Sequence, residues 1–183
     1  MSDAVKVVGI VASPSEGGRT TAAVAGILAG ATKAGAETRI IELASAERSV
    51  AIEAIDSADA VVFGSPVYRA TYSAQLKDVL ENTQRGLHGE TTAPLRGKAA
   101  AIAFTGASAH HFLSTDSARA ILASFFATQV LSPALYLEHK DFQDRETLGE
   151  IATGWADQHG AALVDLARAV RASAALSTLD PLV

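Results

Sequence analysis

The sequence predicts an α/β chain, a three-layer doubly wound fold built on a five-stranded parallel sheet. Short apolar runs alternate with segments of helical period, as strands joined by crossover helices require. Hydrophobic residues make up 49% of the 183 residues and aromatics only 5%, and the surplus is Ala, Val, Leu and Ile, the mix of strands covered on both faces. One core suffices for this length.

Val5 to Ala12 is a continuous apolar run that stops at Ser13-Pro14-Ser15-Glu16-Gly17-Gly18, a buried strand entering a loop. Val24, Ile27, Leu28 and Ala31 then fall at helical spacing, and Gly35 closes that helix with a residue that tolerates a left-handed cap. Thr38 to Leu43 is the second strand and Ile52 to Ser57 a short helix. Ala58 to Ser65 is the third strand, ending in Gly64-Ser65-Pro66. From Ser73, Leu76, Val79 and Leu80 restore the helical period. Thr83 to Gly97 carries Gly86, Gly89, Pro94 and Gly97, and a connection this long suits a lid or an oligomer contact. Lys98 to Thr105 is the fourth strand. A loop from Gly106 to Asp116 leads to a helix with Ala118, Ile121, Leu122, Phe125 and Phe126 on one face, and Gln129 to Leu137 is the fifth strand. Leu148, Ile151, Ala152, Trp155, Leu163, Leu166 and Val170 trace one stripe of a long last helix, which reads Trp155 as core. The pattern is lost from Arg171, so residues 1–171 are expected as the domain and 172–183 as a tail or intersubunit arm. Right-handed crossovers make 2-1-3-4-5 one common strand order, which periodicity alone leaves open.

Charge and composition narrow the function. A formal net charge of −5 gives no basic field for a polyphosphate backbone, so nucleic acid is not an expected partner. The absence of cysteine excludes disulfides, thiolate nucleophiles and zinc-cysteine sites, and suits a reducing cytoplasm. Asp3 and Lys6 flank the opening, and Val7 to Ala12 is too short for a signal sequence or a membrane span, so the mature chain is expected to start here. A phosphate-binding G-x-x-x-x-G-K-[ST], a dinucleotide G-x-G-x-x-G after the first strand and a G-x-S-x-G nucleophile elbow are all missing.

In doubly wound sheets ligands bind outside the carboxyl ends of the strands, here the loops after the first, third and fourth strands. The first, with Ser13, Ser15, Gly17, Gly18, Arg19, Thr20 and Thr21, puts hydroxyls, glycines and a cation at a helix start. That pattern reads either as a phosphate seat or as an ordinary capped turn. The second, Gly64 to Ser73, holds Tyr68 and Tyr72, two of the chain's three tyrosines, with Pro66, Val67 and Arg69. It reads as a wall for a flat heteroaromatic ring or as a turn covering the sheet edge. The third, Thr105-Gly106-Ala107-Ser108-Ala109-His110-His111, offers small residues whose amides can meet a ring's polar edge. His110 and His111 read mainly as surface or ring-contact groups, with catalytic and metal roles subordinate. Lys77 and Asp78 read as a solvated or interface pair.

Taken together, these segments resemble the NAD(P)H-dependent FMN reductases of the flavodoxin-like superfamily, especially the group that serves two-component monooxygenases such as alkanesulfonate monooxygenase. Gly64-Ser65-Pro66-Val67-Tyr68-Arg69 with Tyr72-Ser73 and Leu76-Lys77 is similar to the family's isoalloxazine loop and following helix. Ser13, Ser15, Arg19, Thr20 and Thr21 match its phosphate loop, and Thr105-Gly106-Ala107-Ser108-Ala109-His110 its third loop, where Ala107 stands in place of the usual second glycine. The resemblance implies FMN and NADPH or NADH as cofactors, hydride transfer by stacking without a catalytic side chain, and reduced flavin passed to a flavin-dependent monooxygenase or another acceptor. It also implies a homodimer or homotetramer, and Thr83 to Gly97 is the candidate contact. Two other readings stay open: a reductase of quinones, azo compounds or chromate that retains its flavin, and a non-enzymatic electron carrier.

Overall fold

The computed structural model describes residues 4–181. The expectation about the chain start rests partly on Asp3, which lies outside them, as do the last two residues of the expected tail.

The first strand, β1 (Lys6–Val11), lies between β2 (Glu37–Glu42) and β3 (Ala60–Tyr68), and β5 (Ala99–Gly106) pairs with β3 on the far side, all parallel. The three crossovers between these parallel strands are carried by α1 (Arg19–Lys33), α2 (Arg48–Ser57) and α3 (Ala74–Asn82). The order agrees with the expected 2-1-3-4-5, except that two short strands fill the last position. Instead of one strand from Gln129 to Leu137, β6 (Gln129–Val130) pairs with the start of β5 and β7 (Leu135–Glu138) with its end. Pro133 lies in the interruption and has no amide hydrogen to give to the ladder. The third strand also runs beyond Ser65 as far as Tyr68, because β4 (Thr71–Tyr72) folds back on it as a short antiparallel hairpin.

Alternate strand residues feed two cores. Val7, Val62 and Ala101 point to α1 and to α5 (Glu150–Ala172), while Val8, Phe63, Ile102 and Phe104 point to α2, α3 and α4 (Ser114–Ala120). One π-helical turn, Ile121–Phe125, extends α4. Thr83 to Gly97 has neither helix nor strand, yet Leu95 within it is fully buried, and the Arg85 guanidinium stacks 3.7 Å from the Phe125 ring centroid. After α5, α6 (Ala174–Ser177) lies against Gly97, and Arg96 Nη1 is 2.6 Å from Asp180 Oδ1.

The expected place of Trp155 is corrected. It is 44% exposed and Ile151 70%, while Ala152, Ala156, Gly160 and Leu163 are the buried positions of α5. The reason is close helix packing: a Cβ on Gly30 would stand 2.6 Å from Asp157 Cα, and one on Gly160 would strike the Ile27 carbonyl. Backbones this near admit only small residues between them, so the seam rotates onto Ala and Gly and turns the large side chains outward.

Candidate functional site

The carboxyl ends of β1, β3, β5 and β7 share one edge of the sheet and enclose a cleft of about 420 Å³. Ser13, Ser15, Arg19 and Thr20 of the first loop line it, as do Pro66, Val67 and Tyr68 of the second and Thr105, Gly106 and Ala107 of the third. Three loops distant in sequence therefore meet in one depression, as the strand-end rule expects.

In the first loop Gly17 (φ 68°) and Gly18 (φ 88°) both adopt left-handed backbone, which glycine reaches without a steric penalty. Gly18 caps α1 with no side chain, so the first amides of the helix have no side-chain acceptor. The Gly17 amide donates to Glu42 Oε2 at 2.9 Å, anchoring the loop to the end of β2. Thr20 and Thr105 share a buried hydroxyl–hydroxyl bond of 2.8 Å that ties the first loop to the third.

The second loop is held from within. The Ser65 hydroxyl accepts from the Ser73 amide at 2.8 Å, and the Ser73 hydroxyl donates to the Ala12 carbonyl at 2.7 Å while accepting from the Leu76 amide. Ser73 thereby caps α3 and locks the β3–β4 hairpin to the end of β1 in one step. Tyr68 is 51% exposed and lines the cleft; Tyr72 packs toward Phe104 instead. In the third loop a Cβ on Gly106 would collide with the Tyr136 phenol, whose hydroxyl donates to the Ser108 carbonyl at 2.8 Å. Burial, and then the Glu138 carboxylate, push the Tyr136 phenol above its ordinary pKa.

Four of the residues singled out in the sequence stay off the lining. Thr21 keeps its hydroxyl buried and unpartnered in α1, and Arg69 is exposed at the hairpin tip. Ser108 bonds Tyr136 through its backbone, and His110 is exposed with Nδ1 3.3 Å from Ser108 Oγ. Lys77 and Asp78 do not pair with each other: Lys77 meets Glu81 at 3.1 Å and Asp78 meets Arg48 at 2.7 Å.

Two lining residues escaped the sequence reading, His139 and Arg145, both from the connection between β7 and α5. Their only signal was position, since that connection follows a strand end on the same sheet edge. Arg145 Nη2 reaches Ser15 Oγ at 3.4 Å across 130 residues of sequence. The lining contains two guanidiniums, Arg19 and Arg145, and no carboxylate. Among the described residues neither has an acidic partner within ion-pair distance, whereas Arg48, Arg96, Arg119, Arg168 and Arg171 each have one. Arg19 Nε is also buried without a hydrogen-bond partner, and its guanidinium carbon lies 5.8 Å from the Phe142 ring centroid. A buried donor without a protein partner calls for an acceptor, and Arg19 offers such a donor in the cleft that Tyr68 and Pro66 also line.

Comparison with known proteins places the chain in a family. A family model described as NADPH-dependent FMN reductase matches residues 5–142. The NADH-dependent FMN reductase SfnF of Pseudomonas putida is 33% identical over 101 residues, 55% of this chain and 50% of that protein. Its counterpart in Pseudomonas fluorescens is 30% identical over 105 residues, 57% of this chain and 52% of that protein. The chain thus matches about half the length of these curated relatives. A crystal structure of the apo form of an NADH:FMN oxidoreductase, EMOB, superposes with a TM-score of 0.76 at 19% identity, covering 96% of this chain and 95% of that one. A flavodoxin-type WrbA-like protein from Agrobacterium tumefaciens gives 0.71 at 20% identity, covering 91% and 99%. The fold is flavodoxin-like.

Proposed function

Because the chain belongs to the NADPH-dependent FMN reductase family, we propose that its cleft holds FMN and that the protein oxidises a reduced nicotinamide dinucleotide to reduce that flavin. One observation carries the reading: Arg19 and Arg145, unneutralised, share a cleft with the Pro66–Tyr68 wall. A mononucleotide with an anionic end and a flat head fits both features.

Arg19, the hydroxyls of Ser13, Ser15 and Thr20 and the open amides at the start of α1 would hold the phosphate. Pro66, Val67 and Tyr68 would supply the stacking surface, and the backbone of Thr105 to Ala107 would face the polar edge of the ring. Bound FMN supplies two-electron chemistry, taking hydride from the nicotinamide and giving the electrons to an acceptor. The chain's own contribution is position: the Ser65–Ser73–Ala12 bonds fix the wall, and the Thr20–Thr105 bond fixes the spacing of the outer loops. With Tyr68 half exposed, the wall is accessible for a second planar ring to approach. We assign reduced FMN as the released product, used by a flavin-dependent monooxygenase or another acceptor.

The test is anaerobic mixing of the FMN-loaded protein with NADPH and, separately, NADH, followed by flavin absorbance. Bleaching of the yellow oxidised band is expected with at least one of them. A flavin that stays oxidised with both refutes the assignment. After stripping, oxidation of the nicotinamide should rise with added FMN; tight FMN with quinone turnover would instead favour a retained flavin.

A further inference from the structure

We propose that Arg145 is a specificity residue, closing the phosphate end of the cleft so that it takes a flavin ending in a free phosphate monoester in preference to FAD. This rests on the flavin reading above and assigns a role to a residue outside the three strand-end motifs.

Arg145 and Glu146 lie directly over the turn that opens α1. A Cβ on Gly18 would stand 3.2 Å from Arg145 Nε, and one on Gly17 would stand 3.2 Å from Glu146 Oε1. Side chains at those two positions would push this cover back by a few tenths of an ångström, so the glycines let it lie close to the turn. Arg145 also contacts Ser15 Oγ of the same loop at 3.4 Å. A second nucleotide attached to the flavin phosphate must leave past this cover, while a terminal monoester need not.

Charge points the same way. A terminal phosphate monoester carries about −1.5 to −2 and three free oxygens near neutral pH, whereas each phosphate of a dinucleotide linkage carries a single charge and two free oxygens. Arg19 and Arg145 together supply two guanidinium forks on the lining, while two carboxylates beside the turn, Glu42 and Glu146, lie off it and Glu42 already accepts from the Gly17 amide. Their field is local, because the chain as a whole has a net charge of −5. Removing Arg145 both halves that charge and opens the exit.

Flavin-fluorescence titrations of the intact protein with FMN, riboflavin and FAD, repeated for Arg145→Ala and Arg145→Lys, test this. In Arg145→Ala, FMN affinity should fall about tenfold to a hundredfold, the scale of a lost hydrogen bond to a charged group. Riboflavin affinity should stay within about twofold, and the preference for FMN over FAD should shrink by at least the FMN loss. Arg145→Lys should recover only part of the FMN affinity, since an ammonium cannot form the fork. Equal weakening of FMN and riboflavin, or an unchanged FMN-to-FAD ratio, overturns the inference and leaves the flavin reading standing. A wild-type protein that binds none of the three overturns both.

Discussion

At the end of β1 the chain turns on two glycines in the left-handed region, Gly17 and Gly18, whereas at the tip beyond β3 it turns on two residues with side chains in that region, Arg69 (φ 52°) and Ala70 (φ 63°). The first turn leaves the opening amides of α1 without a side-chain acceptor and Arg19 Nε without a hydrogen-bond partner. The second satisfies itself, with Ser65, Ser73 and Ala12 bonded in series. Two-residue hairpins with positive φ at both central positions strongly favour Asn and Gly, and a left-handed residue with a Cβ costs roughly 1–2 kcal/mol. That cost is sustained because the serine relay and the Tyr68–Thr71 pairing over-determine the hairpin. In the proposed flavin reading, the open charge would meet the ligand's anion and the rigid hairpin its plane.

The contrast can be broken by substitution, and the largest effect is expected at the open turn. Arg19→Ala should weaken FMN binding by roughly 1.5–3 kcal/mol and lower the thermal midpoint only slightly, because the buried Nε has no protein hydrogen bond to lose and the Phe142 ring lies 5.8 Å from the guanidinium carbon. Calorimetric titration beside a thermal melt decides; unchanged affinity would remove Arg19 from the seat. Ser73→Ala should do the reverse, lowering stability by about 2 kcal/mol through the lost cap and the orphaned Ala12 carbonyl. A urea midpoint that hardly moves would mean that other contacts hold the hairpin.

Ala70→Gly sharpens the same contrast, since it relieves the left-handed conformation while adding freedom to the unfolded chain. We expect a net gain of roughly 0.5–1 kcal/mol, and a loss in the urea midpoint would show that the tip is unstrained. Tyr136→Phe should have the smallest effect, about 0.5 kcal/mol from the bond to Ser108. Its sign with pH is fixed: the folded-state pKa of Tyr136 is raised, so its contribution is full below about pH 10 and is lost as pH climbs through the folded value. Urea midpoints for the two proteins should therefore converge in alkali, and a gap that widens there contradicts the assignment.

Much of the site was legible because strand ends of a parallel sheet share an edge. Runs such as Val61-Val62-Phe63 mark where strands stop, and ten of the fourteen residues singled out from the loops line the cleft. His110 could not be placed this way, since small shifts in the turn after Gly106 re-aim every later side chain. Arg145 was silent for another reason. It sits in the charged stretch Asp144-Arg145-Glu146, and nothing local distinguishes a solvated arginine from one folded back over Ser15.

The sequence by itself determined the alternation of strands and helices, the three turns rich in Ser, Gly and Pro, and the exclusion of cysteine chemistry, because periodicity and residue type act over a few neighbours. Only the tertiary structure decided that Trp155 faces outward, that the fifth strand position is split at Pro133, and that Arg145 joins Arg19. Those outcomes depend on how closely α5 approaches α1, on which β5 groups a neighbour can reach, and on a contact spanning 130 residues. Packing distances between remote segments leave no periodic trace in the chain.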